Sequence, residues 1–107
     1  MFFRYPQDFK ENPVSPGVVL NLVWGERIML SRVAFQPNST ISAHSHPNEQ
    51  TGIILEGEIT LTIGNDTRLC KKGDAFTIPD NVEHSVVVGK EPAVVLDTFN
   101  PPREDYK

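Results

Sequence analysis

Cysteine is almost missing from this chain. Cys70 is the only one, so no intrachain disulfide forms and no thiolate cluster is available to a metal. Cys70 itself reads as a small apolar side chain. No apolar run approaches membrane-spanning length, and the opening Met1-Phe2-Phe3-Arg4-Tyr5-Pro6 lacks the apolar stretch of a secretory leader. Basic charge is sparse and scattered. The ten Lys and Arg stand singly except for Lys71-Lys72, against fourteen Asp and Glu, for a net charge of −4. Without a patch that neutralises phosphates, nucleic acid is not an expected partner, and neither is a membrane. There is also no glycine-rich phosphate loop and no nucleophile–histidine–acid triad. At 107 residues the chain has room for one domain with a modest core, and its expected setting is the cytoplasm.

Space for helices is lacking too. Between Gly17 and Pro102 the longest stretch free of both glycine and proline is Glu26 to Gln36, eleven residues, about the length of one average helix. What fills the gaps is Val, Ile, Thr and Phe, residues suited to a pleated surface. In Glu58-Ile59-Thr60-Leu61-Thr62-Ile63 the apolar residues alternate strictly with polar ones, the mark of a half-buried strand. Turn signals recur between such runs, among them Pro37-Asn38-Ser39, Gly64-Asn65-Asp66, Pro79-Asp80-Asn81 and Trp24-Gly25-Glu26-Arg27. The pattern predicts an all-β sandwich or barrel, with strands near 18–24, 27–36, 41–46, 50–56, 58–63, 67–70, 75–78, 83–88 and 93–99. Residues 1–16 read as an extended arm with one turn around Asp8 to Asn12, ahead of a barrel domain at 17–107.

Three histidines are placed unusually. His44 and His46 are two apart in a predicted strand, so their side chains share a face. Gln50 follows four residues later, and His84 lies on a later strand beyond a proline-containing turn. Three imidazole nitrogens and a side-chain oxygen make a half-shell that Zn, Ni, Fe, Mn and Co all accept, with positions left for substrate. Spacing alone leaves surface polarity open as the plainer reading of His-x-His. Glu49 competes with Gln50 for the fourth position. Counting by twos from His46 favours Gln50, and neighbouring residues in a strand face opposite ways.

The stretch His44-Ser45-His46-Pro47-Asn48-Glu49-Gln50, then six residues to Gly57, resembles the first motif of the cupin superfamily. Gly73 through Pro79-Asp80-Asn81-Val82-Glu83-His84 resembles the second, with Asn81 where the pattern has glycine and Val88 where it has asparagine. Fifteen residues separate Gly57 from Gly73. The resemblance covers about residues 25 to 100. It implies a jelly-roll β-barrel and one divalent transition metal on His44, His46 and His84. Glu-Gln at residues 49–50 also occurs in cupins whose fourth ligand is the glutamine. A set of neutral donors leaves the ion's charge undiminished, which favours Lewis-acid chemistry over oxygen activation.

A second constellation closes the chain. Asp97 and Phe99 share a face of the strand that begins Ala93-Val94-Val95, and Pro101-Pro102 leads stiffly to Arg103. A carboxylate in an apolar strand needs partners, either an ion pair or strand-end cap, or a general acid/base role at a metal. Arg103 has the planar fork for holding a carboxylate. Arg32, in mid-strand, reads equally as pointing into the barrel or out of it. Asp-x-Phe-x-x-x-Arg after the histidine set resembles the KdgF-like small cupins, which open unsaturated uronates to linear keto sugars. That resemblance implies catalytic roles for Asp97 and Arg103, with Phe99 and Arg103 lining an anionic substrate. A cupin dioxygenase and a non-enzymatic ligand-binding cupin remain alternatives. A homodimer paired through sheet edges is expected, with the arm at 1–16 covering an edge.

Overall fold

The computed structural model describes residues 1–107. Ten strands form two antiparallel sheets: β1 (Lys10–Ser15), β2 (Val18–Trp24), β3 (Met29–Phe35), β4 (Thr40–His44), β5 (Glu49–Glu56), β6 (Glu58–Ile63), β7 (Asp66–Lys71), β8 (Ala75–Ile78), β9 (His84–Val87) and β10 (Ala93–Asn100). A single 3-10 turn, Glu104–Tyr106, follows. One sheet runs β1-β2-β3-β10-β5-β8 and the other β4-β9-β6-β7, the interleaved order of a jelly roll. No helix is long and apolar enough to cross a membrane.

Alternation sets which side chains turn inward. Along β3, Met29, Ser31, Val33 and Phe35 are buried while Leu30, Arg32 and Ala34 face outward. β10 buries Ala93, Val95, Asp97 and Phe99 in the same rhythm. These residues meet Ile59, Leu61 and Val86 from the four-stranded sheet and fill most of the barrel with hydrocarbon. Polar inward residues collect toward one end, and that end carries the site.

Within the extended arm expected at residues 1–16, residues 10–15 form a strand. They pair with β2 as the edge strand of the larger sheet, with an irregularity between Pro13 and Ser15. Lys10-Glu11-Asn12-Pro13 shows no apolar alternation because an edge strand needs backbone partners on one side only, and proline is tolerated there. The turns fall where glycine and asparagine announced them. Gly57 adopts a φ of +72°, and a side chain there would run into the Pro92 carbonyl.

Candidate metal centre

His44 ends β4 directly opposite His84 of β9, and their ring centroids are 4.3 Å apart. His46 departs from its expected place. It lies beyond the end of β4, in the connection to β5, because Pro47 lacks an N–H and restricts the residue before it, so the ladder stops. The His46 carbonyl instead accepts the Asn81 N–H at 2.8 Å. Asn81 takes a left-handed φ of +64° in the turn leading to His84, so that turn and the His46 loop are tied together. The His46 ring still reaches the cluster, 4.9 Å from that of His84. The candidate ligand atoms of His44, His46 and His84 all lie within 4.8 Å of one another, near the roughly 3–4 Å that metal–nitrogen bonds of about 2.1 Å impose.

The ring protons point the same way. The Nδ1 atoms of His44, His46 and His84 face the backbone carbonyls of Ser42, Asn48 and Val82 at 2.9, 3.0 and 2.9 Å. A carbonyl only accepts, so each Nδ1 carries a proton and each Nε2 presents a lone pair, the arrangement of ligating histidines. Burial, the leading cause, holds His46 below the ordinary imidazole range and takes His84 down to about 4. The Nε2 of His84 is buried without a partner. That of His46 sits 3.1 Å from Gln50 Oε1, which places two acceptors face to face. A cation between them turns that repulsion into coordination. These residues therefore suit a metal ion.

Gln50 is buried on the inner face of β5, whereas Glu49 is exposed on the outer face. Cross-strand register explains the neighbourhood. Gln50 lies opposite Phe99, and the next inward row across the sheet runs Leu22, Ser31, Asp97, Gly52, Phe76. Asp97 is buried and its Oδ1 has no partner. Burial pushes its carboxyl up to about 7, with a hydrogen bond from Gln50 pulling the other way. Gly52 is required: a Cβ there would overlap both Asp97 Oδ1 and the Phe76 ring. Ser31, another polar residue in an apolar slot, contributes an unpartnered hydroxyl.

Arg103 is buried. Its Nε and Nη2 donate to the two oxygens of Asp105 at 3.3 and 2.8 Å, and its Nη1 donates to the Tyr106 hydroxyl at 2.8 Å. The guanidinium lies 3.9 Å from the Tyr106 ring centroid and 5.5 Å from that of Phe99, whose ring meets His46 edge-on at 5.5 Å. Asn48 joins this tail to the histidine loop. Its side-chain amide donates to the carbonyls of Pro101 and Pro102 at 2.6 and 3.3 Å, while its own carbonyl holds His46. Arg32 points outward, away from the site, where its Nη1 donates to the Tyr5 hydroxyl at 3.0 Å. The sequence pattern did not single out Ser31, Asn48, Gly52, Asp105 or Tyr106. A glycine and a serine in inward slots of apolar strands were the available signals for two of them.

Two packed antiparallel sheets with a histidine cluster at one end of the barrel define a cupin. The cupin domain family matches residues 31–99, and the chain belongs to it. Among individual proteins it is similar to the pectin degradation protein KdgF of Dickeya dadantii (strain 3937), with 30% identity over 86 residues, 79% of this chain and 78% of that protein. The structure of KdgF from Halomonas sp. superposes with a TM-score of 0.87 at 25% identity, covering 98% of this chain and 97% of that one. Oxalate oxidase GF-2.8 of Triticum aestivum is 32% identical over 83 residues, 68% of this chain but only 37% of the plant protein.

Proposed function

We propose that this protein is a metal-dependent cupin enzyme for a small anionic sugar or keto acid. Its most specific form is ring opening and tautomerisation of an unsaturated uronate, an isomerase-type reaction in the cytoplasm. The observation that carries the reading is the buried Asp97 carboxyl, raised by burial to near neutrality, with an unpartnered oxygen in the cavity that His44, Gln50 and His84 also line. Similarity to KdgF over most of both chains supports it.

His44, His46, His84 and Gln50 would hold one divalent transition metal. When bound, the ion supplies Lewis-acid polarisation of the sugar-acid oxygens, undiminished by any anionic ligand. The remaining steps fall to the chain itself. Asp97, populated in both forms near neutral pH, takes a proton from the opened sugar and returns it at the neighbouring carbon. Arg103 orients the substrate carboxylate through its fork, and Phe99 supplies an apolar wall. Loss of ultraviolet absorbance by an unsaturated uronate, followed with metal-loaded protein, tests this. Wild type is expected to exceed the spontaneous rate, and Asp97→Asn to lose about two decades of turnover with its metal retained. No acceleration by wild type, or full turnover by the variant, overturns the reading.

Similarity to oxalate oxidases favours a second reading, an oxidase acting on a small carboxylate. Oxygen uptake driven by oxalate would select it. Tight ligand binding without turnover would instead mark a ligand-binding cupin.

A further inference from the structure

Arg103 stands between two spaces. Inside the barrel is a cavity of about 40 Å³ reached by His44, Gln50, His84 and Asp97. That is room for about one water molecule and far too little for a sugar ring. Outside is an open cleft of about 510 Å³, bordered by His46, Asn48, Glu104 and Asp105 and by three prolines, a size typical of small-molecule sites. Arg103 is the one residue that lines both. Arg103 therefore lies between a ligand in the cleft, which His46 also lines, and the inner His44 and His84.

What holds it is a carboxylate. Asp105 grips the guanidinium with both oxygens, the geometry a ligand carboxylate would adopt. The two partners differ sharply in exposure. The Arg103 side chain is 8% exposed and that of Asp105 is 64% exposed. A buried cation is thus paired with a solvated anion on the cleft side. Exchanging one carboxylate for another keeps the guanidinium paired throughout and avoids stranding a buried charge. The 3-10 turn that carries Asp105 buries none of its own residues, while Asn48 pins the Pro101 and Pro102 carbonyls at its base. Tyr106 is what ties the turn to the barrel, packing against Phe99 and the core and accepting from Arg103 Nη1, so the exposed Asp105 carboxylate can leave without the turn.

We propose that Asp105 is a built-in stand-in for the ligand carboxylate: an incoming carboxylate displaces it from Arg103, and the guanidinium, now paired with the ligand, opens the wall between cleft and cavity. Asp105 then sets specificity, because a neutral ligand gains nothing from the exchange. This rests on reading the site as one for a sugar acid, yet its test is separate from turnover.

The test is calorimetric titration of the metal-loaded full chain with D-galacturonate, which lacks the unsaturated bond, and with D-galactose. Asp105→Asn removes the competitor, and Glu104→Gln removes an adjacent exposed charge that pairs with Lys107 instead. Asp105→Asn is expected to tighten galacturonate by about three- to fivefold, the scale of an exposed ion pair. Glu104→Gln should tighten it much less, and galactose should respond to neither. Three results overturn the proposal: no tightening by Asp105→Asn, equal tightening by Glu104→Gln, or equal tightening of galactose. Absence of galacturonate binding to wild type and Asp105→Asn alike overturns it as well. Failure of the ring-opening reading shows separately, as absence of turnover on the unsaturated uronate.

Discussion

Replacing Asp97 by Asn removes an ionisable group while keeping its shape, and the consequence for stability depends on pH in a way the structure fixes. Burial raises the Asp97 carboxyl from 3.8 to about 7 in the folded protein. The folded state therefore binds the proton more tightly than the unfolded state. The associated stability is full below the unfolded value and is lost as pH rises through the folded one. Over the whole window that amounts to about 4 kcal/mol, of which about 2–3 kcal/mol falls between pH 5 and pH 8. His84 slopes oppositely: its folded value is depressed from 6.5 to about 4, so stability is lost as pH falls through that range. Its contribution is common to both proteins and cancels in the difference. Urea unfolding of the metal-free wild type and Asp97→Asn at pH 5 and pH 8 isolates the carboxyl. The variant should gain on wild type by about 2–3 kcal/mol between the two pH values. A difference that does not move with pH would refute the burial argument.

Other substitutions follow from the same geometry. Gly52→Ala drives a methyl into Asp97 and the Phe76 ring and should destabilise the fold by about 1–3 kcal/mol, read by thermal or urea unfolding. Asn48→Ala frees the carbonyls of Pro101 and Pro102 and should cost about 1–2 kcal/mol by the same measurement. Gln50→Glu adds an anionic donor and should tighten metal retention against a chelator by about tenfold or more, ~1.4 kcal/mol. It should slow uronate opening at the same time, because the ion's charge is partly neutralised.

Most strands were legible because one face of each is buried, and burial writes itself as alternation. Parity along β5 and β10 is why Gln50 turns inward while Glu49 turns out, and why Asp97 and Phe99 share the interior. β1 was not legible, since an edge strand with Pro13 needs no apolar face. His46 was placed in a strand that ends at His44, because Pro47 breaks the ladder in a way that periodicity does not register. Gly52 and Ser31 flank Asp97 through cross-strand register, which depends on how three strands align and not on any one of them. Asn48 and Asp105 act through a tail folded back across the barrel mouth, a contact between residues more than fifty apart in the case of Asn48 and Pro101.

The proposed chemistry depends first on one metal ion held by His44, His46 and His84, with Gln50. Elemental analysis of the purified protein, alongside His84→Ala and after reconstitution of both with a divalent transition metal, addresses it directly. Wild type should carry one metal per chain and the variant should lose it. A wild-type protein that takes up no metal, or a variant that holds as much as wild type, would contradict this expectation.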